Sequence, residues 1–141
     1  MSRDEYGQVT VMIVGFFVFL ALLAGVAIDA SAAYLRSESL DDLADGAALA
    51  AADGVQGDQV YQGGLGSRAR IDPDAARGYV QRYLDQVGAR VKYPGLHLDV
   101  SADGTSVAVR LTTPMSLPVA PFGWGSGTAV TGQSSVVVRV R

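Results

Sequence analysis

From Tyr6 to Ile28 the chain carries no charged residue, a run of 23 positions. About 20 apolar helical residues cross the hydrocarbon core of a bilayer, and "VMIVGFFVFLALLAGVAI" is apolar on every face of a helix. The rest of the chain is too short to wrap such a helix on all sides. The run therefore predicts a membrane span rather than a buried core helix. It ends at Asp29, yet no proline or turn sequence follows, and helix-forming residues continue to Asp53. In this second half Glu38, Asp41, Asp42 and Asp45 recur three and four apart and share a face, while Leu40, Leu43, Ala44, Ala47 and Ala51 form an opposite apolar seam. Alanine favours helix and lets a partner element approach closely. Residues 9–53 thus read as one rod about 67 Å long, half in lipid and half standing above it, with Asp29 at the membrane boundary and Asp53-Gly54 as its stop.

Residues 54–71 form a glycine-rich linker. Its "GGLGSR" lacks the Lys-Ser/Thr ending and the preceding strand of a phosphate-binding loop. In "DPDAARGYVQRYLDQVG" Asp72 is placed to cap a helix, Pro73 suits its first position and Gly88 its end. Ala76, Tyr79, Val80, Tyr83, Leu84 and Val87 give that helix one apolar stripe. Strand periodicity follows. Leu96, Leu98 and Val100 alternate with His97, Asp99 and Ser101; beyond a turn at Asp103-Gly104, Val107, Val109 and Leu111 alternate with Ala108, Arg110 and Thr112. In the last segment, "TGQSSVVVRVR", Val136, Val138 and Val140 share one face. The expected fold is α+β: a long N-terminal transmembrane and stalk helix, then a small head over residues 72–141, one helix packed on a three-stranded antiparallel sheet. A head of this size is small enough to need support from the stalk or from neighbours. The intervening "PMSLPVAPFGWGSG" has too many prolines and glycines for regular structure, and its Leu117, Val119, Phe122 and Trp124 read either as a flap over the core or as a contact surface for a subunit or the lipid interface.

Composition adds exclusions. The chain has 141 residues and no cysteine, which removes disulfides, thiolate metal sites and cysteine nucleophiles together. His97 is the one histidine and falls on the polar face of its strand, so no second imidazole helps it hold a metal. The carboxylates read as a solvated helix face, and no Gly-x-Ser-x-Gly elbow occurs. No catalytic, cofactor or metal residue is assigned, and the chain reads as non-enzymatic. Residues 29–58 carry seven acids and one base, whereas residues 59–141 carry nine bases and five acids. The bases are scattered, which argues against nucleic acid as a partner. Arg3 and the α-amine flank the inner end of the span, so residues 1–8 are expected in the cytoplasm and the head outside. A cleaved secretory signal is the rival, with Ala30-Ser31-Ala32 as the small-x-small site, but the apolar core is too long for a signal and the site lies in continuous helix.

The stretch "YGQVTVMIVGFFVFLALLAGVAIDASAAYLRSESLDDLADGAALAAADG" resembles the N-terminal region of TadE/TadG-like proteins of the tight-adherence (Tad, or Flp) pilus system. The resemblance is carried by Gly7 before the apolar helix, Asp29 at its outer end, Tyr34 and Leu35 beyond, and the alanine-rich Ala44, Asp45, Ala47, Ala48, Leu49 and Ala50. It implies a membrane-anchored, minor pilin-like subunit of a type IV pilus-like system. Its partners would be other pilin-like subunits and the Tad assembly platform proteins, with homo- or hetero-oligomers forming through the N-terminal helix. Family members cut by a prepilin peptidase are cleaved after a glycine and carry glutamate at the fifth mature position. Cleavage between Gly7 and Gln8 would put Met12 there, a pattern more similar to the TadG-like branch than to TadE proper. The alternative reading is a membrane-tethered extracytoplasmic binding domain unrelated to pili, displaying the Pro-rich loop to a ligand.

Overall fold

The computed structural model describes residues 4–62, 71–103, 105–116 and 128–137. Helix α1 runs unbroken from Asp4 to Gln62, about 88 Å at 1.5 Å per residue. Helix α2 spans Pro73–Gln86, a single-turn α3 spans Ala89–Lys92, and strands β1 (His97–Ala102), β2 (Ser106–Met115) and β3 (Thr128–Val137) complete the order. The strands form one antiparallel sheet in the order β1-β2-β3. The expected α+β architecture is therefore present.

Helix α1 departs from the expected rod at its far end. It does not stop at Asp53-Gly54 but continues through Gly54 and Gly57 to Gln62, into the segment expected as linker. Glycine inside a helix costs about 1 kcal/mol relative to alanine, and packing offsets this. Val55 is buried, and a Cβ on Gly54 would stand 2.4 Å from Cδ1 of Tyr79, so the missing side chain is what seats the tyrosine ring. At its other end the helix begins at Asp4, inside the expected tail.

The caps on α2 follow the sequence. Asp72 accepts a hydrogen bond from the backbone N–H of Asp74 at 2.9 Å, Pro73 occupies the first turn, and Gly88 leaves the helix at φ 66°. Ala76, Val80 and Leu84 are fully buried and Tyr79 and Tyr83 pack beside them, but Val87, expected on the same stripe, is 49% exposed. The stripe does not lie chiefly on the sheet. It packs mainly along α1, touching β1 at its margin. The principal cover of the sheet is the stalk half of α1, because a seam of alanines lets a sheet approach more closely than a helix bearing tyrosines can.

Leu40, Ala44, Ala47, Ala48, Ala51, Ala52 and Val55 of α1 meet Val107, Val109 and Leu111 of β2, Val100 of β1 and Val130 of β3 in one core. Strand β3 begins at Thr128, ahead of the segment expected, and turns Val130, Gly132, Ser134 and Val136 toward α1. Val138 and Val140 lie outside the described residues. Gly132 is the closest approach: a Cβ there would lie 2.4 Å from the carbonyl carbon of Leu40 and 2.6 Å from the nitrogen of Asp41. One residue on, the backbone N–H of Gln133 donates to the Asp41 carboxylate at 2.9 Å. This satisfies a donor that β3, an edge strand, would otherwise leave open.

The β1–β2 turn is held by Asp103, whose carboxylate accepts from the backbone N–H of Ser106 at 2.8 Å and of Thr105 at 3.2 Å. Hydrogen bonds from Ser106, side chain and then backbone, with that of Thr105, hold this carboxyl below its ordinary value.

Two glycines distinguish packing from propensity. Gly132→Ala places a methyl against rigid backbone and is expected to lower stability by about 2 kcal/mol or more, read as a fall in the urea midpoint of the detergent-solubilised protein. Gly78→Ala, in open space on α2, is expected to raise it by about 0.5–1 kcal/mol. A folded-state pKa below the unfolded value of about 3.9 contributes stability above that pH and loses it as pH falls through the folded pKa. Replacing Asp103 with Asn should therefore flatten the acid limb of the stability–pH curve below about pH 4; an unchanged limb would show that the turn carboxylate is not linked to folding.

Candidate membrane anchor and stalk interface

Helix α1 falls into two physical halves. From Val9 to Ile28 its large apolar residues are all exposed, among them Val11, Met12, Phe16, Phe17, Phe19, Leu22, Leu23 and Val26. From Leu40 to Val55 most of its apolar residues are buried in the head, Leu49 being the exposed exception. Among the described residues this is the one helix long and apolar enough to cross a membrane. Its bare half needs an apolar surrounding, and a helix can accept one because its backbone groups are satisfied internally.

The expected boundary residue, Asp29, is only 9% exposed although Ile28 and Ala30 on either side are exposed, and it has an interaction partner. Seven residues further on, Arg36 places its guanidinium carbon 4.7 Å from the centre of the Tyr93 ring. The Tyr93 hydroxyl bonds that of Ser39 at 2.5 Å, and Lys92 brings its ammonium to 5.3 Å from the same ring. Arg36 as the lone base in an acidic stretch was a visible signal, but its partner 57 positions away was not. On the opposite side Tyr34 hydrogen-bonds Glu38, whose carboxylate holds the phenol above its ordinary pKa.

Of the five residues expected to form the stalk packing seam, Leu40, Ala44, Ala47 and Ala51 are wholly buried and Leu43 partly so, all within the chain's own head. The face of the stalk that remains open carries Leu35, Glu38, Asp42, Asp45 and Leu49. Gly7 lies within α1 with open space about it, one residue from Gln8. The expected contact residues Leu117, Val119, Phe122 and Trp124 lie outside the described residues.

The sheet face turned away from α1 is polar. Asp99 and Ser101 of β1, Arg110 of β2, and Gln133 and Ser135 of β3 line a shallow groove there. Arg110 Nη2 donates to Gln133 Oε1 at 3.4 Å, and His97 stands exposed on the same face, opposite Thr112. Among the described residues no group of histidines and carboxylates could hold a metal ion.

One helix is thus apolar and long enough to cross a membrane over its first half, and over its second half it is the central support of a small αβ head. Residues 7–54, the anchor and most of the stalk, match the family of TadE/G-like proteins of Flp pilus assembly. Over that part the chain is similar to TadE/G-like proteins, and the head lies beyond the match. No curated protein and no solved structure matches the chain.

The two stalk faces should respond differently to substitution. Ala47→Leu forces a larger side chain into a filled seam and is expected to cost about 1–3 kcal/mol. Asp45→Lys on the open face should stay within about 0.5 kcal/mol. Thermal melts of both variants in detergent check the contrast.

Proposed function

We propose that this chain is a membrane-anchored, minor pilin-like subunit that takes part in assembling a Tad (Flp) type pilus. It spans the membrane once through residues 9–28, with the N-terminus in the cytoplasm and the head outside. It acts by packing, without catalysis or a cofactor. The observation that carries this reading is the single unbroken helix, bare over one half and buried in the head over the other, coincident with the TadE/G-like match at residues 7–54. A subunit stored in lipid and later gathered into an assembly needs such a rod: its apolar half is satisfied in the bilayer and can afterwards be buried against other helices.

Because the head already occupies the alanine seam, neighbouring subunits meet the bare span or the open stalk face of Leu35, Glu38, Asp42, Asp45 and Leu49. That acidic face suits a partner with basic residues at matching spacing. The partners are other pilin-like subunits and the platform proteins of the same system.

Native protein isolated from cells that carry the pilus system is expected to co-purify with those platform or pilin-like subunits, and to lose them when Asp42 and Asp45 are both replaced by Lys. A lone membrane monomer in such cells would refute the assembly role. Intact mass of the same material reads the Gly7–Gln8 bond: loss of residues 1–7 makes it a processed pilin-like subunit, and a full-length mass makes it a permanent anchor.

A further inference from the structure

The head has one end near the membrane, and the packing identifies it. Tyr79 lies against Gly54, Tyr83 against Gly46 and Tyr93 against Ser39 and Arg36. Helix α2 therefore descends along α1 toward the span, and α3 sits at the bottom of the head. Strand β2 ends at this level too, where Pro114 meets Gly95.

This end has an unusual surface. Val91 is 88% exposed and Val87 is 49% exposed, two aliphatic side chains facing water beside Arg90 and Lys92. Lys92 and Arg36 lie against a single tyrosine ring, which gathers two like charges that repel one another. Among the described residues Arg36 Nε is buried and makes no hydrogen bond. Arg90 alone has an acidic partner, Asp85 at 3.4 Å, in an exposed pair. Of the acids nearby, Glu38 lies on the far side of α1 with Tyr34, and Asp29 is buried and engaged.

The spacing fits a bilayer surface. Between Asp29 and Arg36 the helix carries no charge, and Tyr34 and Leu35 are exposed at 68% and 67%. Tyrosine is favoured at the lipid–water interface. Seven residues rise about 10 Å, and the headgroup layer is about 5–7 Å deep on each side. The backbone of Arg36 thus stands a few ångströms beyond the headgroup layer, and the long side chains of Arg36, Arg90 and Lys92 bring their cations within reach of lipid phosphates.

We propose that the membrane-proximal end of the head is a lipid-contact surface, in which Arg36, Arg90 and Lys92 engage the phosphates of anionic lipids while Val87 and Val91 enter the interface. The occupant is the bilayer that holds the span, because Arg36 stands on the span's own helix seven residues beyond Asp29 and the patch's charge is complementary to anionic headgroups. The head is then not free to swing above the membrane but is held upright against it. This rests on the anchor reading above.

The chain has no cysteine, so single introduced thiols report one position each. The full chain is reconstituted into phosphatidylcholine vesicles with and without phosphatidylglycerol, carrying an environment-sensitive fluorophore at Val91→Cys, at Thr105→Cys in the distal turn, or at Phe17→Cys in the span. With phosphatidylglycerol, the Val91 probe is expected to shift to the blue and to be quenched by lipid-borne quenchers, and the Thr105 probe is not. The Val91 shift should vanish in pure phosphatidylcholine, at high salt, and in the double variant R90E/K92E. A Val91 probe as water-exposed as the Thr105 probe, or equally shielded in both lipids, overturns the proposal. The Phe17 probe separates the two failures: if it is shielded while Val91 is wet, the anchor stands and the contact falls; if it too is wet, the anchor reading itself fails.

Discussion

The structure depends on how closely α1 and the sheet approach each other. Where Gly132 crosses Leu40 and Asp41, backbone lies on backbone with no side chain between. The alanines at 44, 47, 48, 51 and 52 extend that closeness along the stalk. Leucines in the same places would hold the sheet off and leave the Asp41 carboxylate out of reach of the Gln133 N–H. The short contact distance therefore determines the edge of the sheet, the seating of α2 and the height of the head above the membrane.

This arrangement also makes the head and the stalk one body. A small domain buries a modest fraction of its surface and is marginal alone. Here it is built around a helix whose other half is bare and apolar enough to cross a membrane, so head and candidate span share one rod. A continuous helix of 59 residues with a head packed on one half transmits position along its axis, because its backbone is hydrogen-bonded turn to turn along its length. That property suits a subunit drawn from a membrane into an assembly: span and head move together, and the faces not used within the chain, the bare span and the acidic stalk face, remain for neighbours. The basic end of the head adds a third contact, with the lipid itself.

The anchor, the stalk and the head elements were legible from periodicity. A 23-residue uncharged run marks a candidate span, and capping chemistry at Asp72, Pro73 and Gly88 marks α2 to within a residue or two. Strands β1 and β2 followed their alternation. What misled was local stop chemistry. Asp53-Gly54 has the composition of a helix end, but the glycine serves Tyr79, a residue 25 positions on, and the helix passes through it. Likewise Val87 keeps the period of the α2 stripe yet is half exposed at the end of the head where α2 stops.

The sequence by itself determined which segments are helix and strand, that one of them is apolar enough to span a membrane, and which face of the stalk is apolar, since these follow from spacing and side-chain chemistry within a few turns. Tertiary structure alone decided what covers that face. The alanine seam could have met another subunit, and it meets the chain's own sheet because Gly132 removes the last obstacle to contact. It also decided that Arg36, Tyr93 and Lys92 gather at one end of the head, since their meeting depends on α2 running antiparallel to α1. That direction is set by the packing of Tyr79 and Tyr83 into glycine notches on the stalk, which no local pattern records.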